Sequence, residues 1–379
     1  MTRPSLLPDV AAGPGLVRLR ACGLLALAAA AIVLPAWGPG TVLDILTLAF
    51  LYGFLAASWN IVGGFAGLIS VGHAAFFGLG AYGVGIVYVK FGLSPYLGIL
   101  AGVGLAVTAA LLLGVISFWL PFAGYNFLLL TLCGAELLRA VFNTIGALGG
   151  AEGIIFPFKP GFATIQFRSS IPYYFIALAL VTGVLLVSWL IRNSGLGLRL
   201  EAIRDDEGAA LAGGMPTART KLTALLISAA LTALGGGFYA AIFSFITPDH
   251  VFSLNLSVAM ITGALIGGRG TVWGPVVGGA LVWILTEGLG RLPLGSGVGA
   301  NLSIILYGLA IIIIVQRMPR GVVLVLCGEM VRGRLEGGQL MKHLLARGAP
   351  SSAKPDGLHR SDRGEVMVTT EAPFGTREE

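Results

Sequence analysis

Five polar side chains interrupt the long apolar stretches of the sequence, and their types could do chemistry there: Asn60, Ser70, His73, Glu136 and Arg139. Ser70 and His73 come closest to the nucleophile and general base that an intramembrane hydrolase needs in one cavity. The run from Gly67, Gly-Leu-Ile-Ser-Val-Gly, misses the G-x-S-x-G turn of hydrolases by one residue. A hydrolase is therefore the remote alternative, and we assign no catalytic residue.

The same five residues admit two interpretations. Polar and ionisable groups are costly in hydrocarbon and usually face the interior of a helix bundle, where they can line a translocation path. They can also be packing residues: His73 bonded to a neighbouring helix, or Glu136 and Arg139, three apart, paired on one helix face. We carry Asn60, Ser70, His73, Glu136 and Arg139 forward as candidates for the path.

No pattern in the sequence predicts a bound nucleotide, cofactor or metal ion. A phosphate-binding P-loop needs a lysine directly after a glycine, so that backbone N–H groups cradle the phosphate. The glycine-rich run GGRGTVWG at 267–274 has no lysine, and none of the lysines follows a glycine: Lys90, Lys159, Lys221, Lys342 and Lys354. The cysteines Cys22, Cys133 and Cys327 lack metal-ligand spacing. Any ATP that drives this protein must therefore be hydrolysed by another chain.

A polar island, RNSGLGLRLEAIRDDEGAALAGGMPTARTK at 192–221, separates two apolar stretches. Its Arg, Leu, Glu and Ala favour helix. Asp205 or Asp206 can cap a short second helix over 207–212, which the glycines from Gly213 end. The island is predicted to form one or two short helices beside the membrane, with a mixed charged and apolar face suited to docking on another protein. The alternative is an ordinary solvated loop.

The composition predicts an all-α polytopic membrane protein. Of 379 residues, 56% are hydrophobic and 11% charged, against roughly 25% charged in soluble domains. The 57 glycines predict close helix packing. The net charge of +6 lies at the ends and in the island, so it is no signal for nucleic acid. We predict about ten transmembrane helices, the eighth of them short and tilted, broken or re-entrant, near 21–37, 42–62, 73–89, 95–119, 124–142, 172–191, 222–243, 255–268, 273–290 and 301–316.

The distribution of Lys and Arg sets the predicted orientation. The N-terminal segment 1–20 and the tail 317–379 are expected in the cytosol, with the tail largely disordered after about 348. Between them lies a transmembrane domain, 21–316. Its inside connections are 64–72, 120–123, 192–221 and 269–272, and its outside connections are 90–94, 143–171, 244–254 and 291–300. GGFAG at 63–67 and GGRGT at 267–271 echo each other, but their shared side does not fit two inverted five-span halves.

Several motifs, in one order, resemble the branched-chain amino-acid ABC-transporter permeases of the LivM type. The island resembles their cytoplasmic coupling segment, G-x-x-L-R-A-I-R-x-D-E-x-A-A-x-x-x-G, with Leu200 as an extra residue. The resemblance covers about 45–325 and includes AASWNIVGGFAGLISVGHAAFFGLGAY (56–82), GGAEGI (149–154), ITPDHVFSLNLSVAMITGALIGGRGTVWGPVVGGAL (246–281) and RMPRGVV (317–323).

This resemblance implies an ABC importer permease in the inner membrane of a bacterium, with both termini cytosolic. Its partners would be a homologous second permease subunit, two ATPase subunits that bind ATP and Mg, a periplasmic binding protein and membrane lipid. The substrates would be branched-chain or similar hydrophobic amino acids, with urea or short amides as the alternative; a passive channel would leave the island without a use. The implied ATPase-coupling residues are Arg199, Glu201, Ala202, Arg204, Asp205, Asp206, Glu207, Ala209, Ala210 and Gly213.

Overall fold

A computed structural model describes residues 39–119 and 126–290, together with Gly308. Most of these residues are helical, because in a bilayer the apolar stretches must satisfy their backbone hydrogen bonds internally. The predicted segments 1–20 and 317–379 and the predicted spans 21–37 and 301–316 lie outside the described residues. The helices and strands of the described part are α1 (Gly40–Asn60), α2 (His73–Gly85), α3 (Pro95–Trp119), α4 (Asn126–Thr144), β1 (Ile154–Ile155), α5 (Ser170–Arg192), α6 (Gly195–Asp205), α7 (Glu207–Ala212), α8 (Thr217–Phe243), β2 (Phe245–Ile246), α9 (Pro248–Val251), α10 (Leu254–Gly267) and α11 (Gly274–Gly290).

The apolar helices confirm the prediction of an all-α polytopic membrane protein. Of the eight predicted spans from 42–62 to 273–290, seven fall wholly within the described residues and 124–142 does so from residue 126; each coincides with a helix to within a few residues. The predicted eighth span, 255–268, is short as expected: it is the 14-residue helix α10, which is unbroken and which the separate helix α9 precedes. Within the described residues, six helical segments are long and apolar enough to cross a bilayer: Gly40–Phe65, Pro95–Trp119, Asn126–Thr144, Ser170–Arg192, Thr217–Phe243 and Pro248–Gly267.

Helix α2 lies at the centre of the packing, and every one of its residues is buried. It packs against α3 and α8, whereas α1 packs against α5 and α11. Small residues bring these helices into backbone contact: a Cβ added to Gly83 would lie 2.4 Å from Gly102 Cα, and one added to Gly278 would lie 2.0 Å from Gly263 O. The structure thus confirms that the glycines serve close helix packing.

Helices α3 and α4 form the periphery of the described part. Only 22% of the most apolar window of each helix is buried, and most of their exposed side chains are large and apolar. An apolar exposed face of this kind suits contact with lipid tails or with another membrane-embedded chain, because neither demands polar groups.

The connections between helices gather at two ends of the bundle. At one end, which we call the sheet end, β1 pairs antiparallel with β2. There the Tyr96 hydroxyl donates to Phe162 O at 2.9 Å. The sheet end therefore unites the connections 90–94, 143–171 and 244–254, which were predicted to share one face of the membrane.

At the other end, which we call the arginine end, the segments that interrupt the regular α-helix after α1 and after α10 contact the island. We call these two segments the helix breaks. Arg204 donates to Gly64 O and Arg192 donates to Gly270 O. The connections 64–72, 192–221 and 269–272 consequently lie together, as the predicted alternation of sides requires. The connections 120–123 and 291–300 lie outside the described residues.

Candidate coupling surface and the arginine junction

The island folds into two short helices because each has its own cap. The Ser194 hydroxyl accepts from Leu196 N at 3.2 Å at the start of α6. The Asp206 carboxylate accepts from Ala209 N at 3.0 Å, which caps α7 as the sequence predicted. Gly214, with φ of +78°, stands just beyond α7 in a conformation that favours glycine. The sequence left open one or two helices and a cap at Asp205 or Asp206; the structure has two helices, and Asp206 is the cap.

The two helices bury one side and expose the other. Leu200 and Ile203 of α6 are buried, whereas Leu198 and Leu211 are 62% and 55% exposed. We call the exposed side of α6 and α7 the coupling surface, and it consists of Leu198, Arg199, Glu201, Asp205, Asp206, Ala209, Leu211, Ala212 and Gly213. Of the other predicted coupling residues, Ala202, Arg204 and Glu207 are half-buried, and Ala210 faces inward with 5% exposure.

Helix α7 is fastened to the transmembrane helix that follows it. The Glu207 carboxylate forms an ion pair with Lys221 Nζ of α8. The lysine is largely buried and its ammonium lies 5.6 Å from the centroid of the Phe118 ring of α3. This buried lysine needs its partner, because removing one member of a desolvated ion pair leaves the other charge uncompensated.

The guanidinium of Arg204 on α6 reaches back into the bundle. Its Nη1 donates to Gly64 O at 3.4 Å, while its Nη2 lies 3.2 Å from Glu201 Oε1 and 3.4 Å from Asp205 Oδ1. A Cβ added to Gly67, where φ is +74°, would lie 2.8 Å from Arg204 Cγ. The arginine stem therefore packs directly on the first helix break.

A second arginine and an asparagine complete what we call the arginine junction: Asn60, the break 61–72, the break 268–273, Arg192 and Arg204. Arg192 Nη1 donates to Gly270 O at 2.6 Å. Buried Asn60 accepts from Gly270 N at 2.8 Å and donates to Thr271 O at 2.9 Å. Asn60 thus serves as a structural tie between segments about 210 residues apart.

His73 lies in a fully buried chain of hydrogen bonds. Its Nδ1 lies 2.8 Å from Ser70 Oγ and its Nε2 lies 2.9 Å from Ser228 Oγ. Because the Ser228 hydroxyl donates to Ser58 O at 2.6 Å, it must accept from Nε2, so Nε2 of His73 carries a proton. Both ring nitrogens have partners, as the packing interpretation of His73 requires. A path role for Asn60, Ser70 and His73 stays a prediction.

Glu136 and Arg139 are paired on one face of α4, at 2.7 Å between Oε2 and Nη2. Arg139 also lies 3.2 Å from Asp249 of α9, and the same carboxylate accepts from Asn143 Nδ2 at 3.1 Å. These charges are two-fifths or more exposed, so their pairing contributes little to stability. Their predicted place on the path stays a prediction.

Comparison with known proteins identifies the family. The sequence model of one family, described as "Branched-chain amino acid transport system / permease component", matches residues 41–329. The match covers most of the chain and includes α1 through α11. The chain belongs to this family. It is therefore the permease component of an ABC transporter and a multi-pass membrane protein, which confirms the resemblance seen in the sequence.

Individual relatives agree with the family. The high-affinity branched-chain amino acid transport system permease proteins LivM of Escherichia coli (strain K12) and Salmonella typhimurium are each 28% identical over 289 residues, which are 70% of this chain and 67% of theirs. The ribose import permease protein RbsC of Bacillus subtilis (strain 168) is 27% identical over 143 residues, 37% of this chain and 43% of RbsC. A solved metal-chelate type ABC transporter in an inward-facing conformation is 18% identical, with a TM-score of 0.46 over 79% of this chain and 99% of that chain.

The contacts of several residues of this permease are visible in the structure but were not predicted from the sequence. Ser228, Asp249 and Asn143 are ordinary polar residues in the sequence, and their partners lie more than 100 positions away. Arg192 was counted only as a basic residue of the island. Within residues 39–119 and 126–290, no three His, Cys, Asp or Glu side chains come close enough to hold a metal ion.

Proposed function

We propose that this permease imports branched-chain or similar hydrophobic amino acids, and that ATPase subunits drive it by docking on the coupling surface. The observation that carries the docking proposal is the exposure of Leu198 and Leu211 in the most highly charged stretch of the described chain. Apolar anchors ringed by polar groups are typical of protein interfaces. Arg199 on α6 and Asp205 and Asp206 at the α6–α7 corner supply that polar rim.

The rigidity of the island favours docking over an ordinary solvated loop. Two caps order the helices, the Glu207–Lys221 ion pair holds α7, and the buried side chains of Leu200 and Ile203 hold α6. A docking element must be held in place, because ordering a mobile loop on binding lowers the affinity. A surface held against the bundle in this way transmits force from a partner into the bundle, which a solvated loop would not do.

The orientation we propose puts the arginine end in the cytosol and the sheet end outside, in the inner membrane of a bacterium. Support comes from the island, which carries five basic residues at the arginine end. In this arrangement two cytosolic ATPase subunits bind ATP and Mg, and each docks on the coupling surface of one permease subunit. A periplasmic binding protein approaches the sheet end, and a homologous second permease subunit completes the path.

The substrate proposal is supported by the names of the relatives and is tested by a direct assay. LivM is named for branched-chain amino acids and RbsC for ribose. The assay is ATP hydrolysis by the reconstituted complex with its binding protein, on adding leucine, an aromatic amino acid, urea or ribose. We expect stimulation by leucine. Stimulation by urea or ribose without leucine would replace the substrate assignment and leave the docking proposal standing.

The docking proposal is tested by Glu207→Arg. This change puts a second cation against the largely buried Lys221 and detaches α7, so we expect the permease to reach the membrane but to retain about tenfold less ATPase on co-purification. Leu211→Asp removes an exposed anchor without touching a buried contact and should act in the same direction. Arg219→Ala, an exposed residue of α8 outside the coupling surface, is the matched control. Normal ATPase yield with both Glu207→Arg and Leu211→Asp would overturn the docking site.

A further inference from the structure

The arginine junction contains two helix breaks of the kind that can move. After α1 the chain widens into a π-helical turn at Ile61–Phe65 and then runs without helix to Gly72. After α10 the chain passes through Gly268 and Gly270, whose φ values of +118° and +75° only glycine adopts readily. Backbone outside a regular α-helix changes its φ and ψ angles more easily than the helices on either side of it.

Asn60 ties the two breaks into one unit. Its amide bonds both the N–H of Gly270 and the carbonyl of Thr271. The fit is close, since a Cβ added to Gly64 would lie 1.8 Å from Asn60 Oδ1 and 2.6 Å from Gly270 N. With no space between them, the first break cannot shift without carrying the second.

Each break is also held by one arginine of the island. Arg204 on α6 donates to Gly64 O in the first break, and Arg192 at the end of α5 donates to Gly270 O in the second. Glu201 and Asp205 flank the far side of the Arg204 guanidinium and fix its orientation toward the break. The turn between α5 and α6 is itself tight, because a Cβ added to Gly197 would lie 2.3 Å from Ile191 O. Displacement of α6 therefore reaches both breaks through two guanidinium groups.

A route from the junction into the bundle is visible in the same contacts. Asn60 adjoins Trp59, whose Nε1 donates to Ser70 O at 2.8 Å, at the far side of the first break. Ser70 contacts His73 at the start of the central helix α2, and His73 contacts Ser228 of α8. The backbone between Trp59 and Asn60 and the hydrogen bonds on either side of it thus connect the two breaks to the helices at the centre of the structure.

We propose that Arg192 and Arg204 are positioning residues that couple movement of α6 to both helix breaks, which Asn60 makes move as one. This inference rests on the proposed function, in which α6 carries the docked ATPase. It assigns the transmission step to the guanidinium of Arg204, which faces inward from α6, and to that of Arg192 at the end of α5; neither residue belongs to the coupling surface.

The test uses the whole transporter, reconstituted in proteoliposomes with its ATPase subunits and binding protein. The variants are Arg204→Ala, Arg204→Lys and Arg192→Ala, with Arg219→Ala as the control that removes an exposed cation at the same end. The readouts are ATPase yield on co-purification and solute imported per ATP hydrolysed. We expect Arg204→Ala and Arg192→Ala to keep the control's ATPase yield and to lower import per ATP by about tenfold, within the usual range of coupling between sites.

Arg204→Lys separates positioning from charge. A lysine keeps the charge but has no planar fork to face Gly64 O and the carboxylates at once, so import per ATP should stay low. Full rescue by lysine, or an unchanged ratio in Arg204→Ala and Arg192→Ala, would overturn the inference. If an alanine variant does not assemble, Arg192→Lys and Asn60→Ser are compared by the same ratio, and a ratio equal to that of Arg219→Ala in both overturns it. Failure of the unmodified chain to retain ATPase refutes instead the proposed function.

Discussion

The close contacts between helices predict that the same substitution changes the stability of this permease in opposite directions at two glycines. Gly80 of α2 and Gly104 of α3 both lie inside helices. A Cβ added to Gly80 would lie 2.0 Å from Ala233 O of α8, and the next atoms are also backbone, whereas a Cβ added to Gly104 meets nothing within 4 Å. The same substitution, Gly→Ala, should therefore destabilise at Gly80 and stabilise at Gly104.

The magnitude follows from two terms. Alanine in place of glycine stabilises a helix interior by about 0.5–1 kcal/mol, and this is the whole effect expected at Gly104. At Gly80 the methyl group must gain about 1 Å of clearance from a helical carbonyl that cannot rotate away. Overpacking costs about 1–3 kcal/mol, and the overlap with backbone atoms puts Gly80 at the upper end of that range, so after the helix gain is subtracted the net destabilisation is about 2 kcal/mol.

The assay is thermal unfolding of the detergent-purified protein, followed by loss of the monodisperse peak in fluorescence-detected size exclusion. A change of 1 kcal/mol moves the midpoint of a domain of 150–250 residues by roughly 2–4 °C. We expect the midpoint to fall by several degrees for Gly80→Ala and to stay or rise for Gly104→Ala. A midpoint for Gly80→Ala equal to or above that of Gly104→Ala would refute the backbone contact between α2 and α8.

Two further predictions concern single hydrogen bonds. Ser228→Ala leaves Nε2 of His73 buried without a partner and should cost about 1–2 kcal/mol in the same thermal assay; Thr223→Ala, which removes an exposed hydroxyl bonded within its own helix, is the control, and equal midpoints for the two would contradict the His73 contact. Asp206→Ala removes the cap of α7 and should cost that helix about 1 kcal/mol; hydrogen exchange at the Ala209 amide should accelerate, and unchanged protection there would contradict the cap.

Local features of the fold were predictable from the sequence because local physics decides them. A stretch of about 20 apolar residues has few alternatives to a membrane-spanning helix, and α3 occupies the predicted 95–119. The short helix α7 could be predicted for the same reason, since its cap at Asp206 and its glycines at the other end are neighbours in sequence. The pairing of Glu136 with Arg139 is likewise a matter of helical spacing.

The arginine junction could not be predicted, and the reason is the distance along the chain between its parts. GGFAG and GGRGT echo each other in the sequence, and their shared predicted side argued against inverted repeats; the structure brings these motifs into contact through Asn60. Sequence separation of about 200 residues hides such a contact, because neither motif has a local signal that points to the other. The sequence shows the charge of Arg204 but not the direction in which its side chain points. Arg199 and Arg204 are five positions apart, about one and a half helical turns, so Arg199 points outward and Arg204 points toward Gly64. Which side of the helix faces inward is decided by the helices packed against it. In the function we propose, the island is thus a surface for a partner on one side and a connection to the helix breaks on the other, which is the property that a coupling element requires.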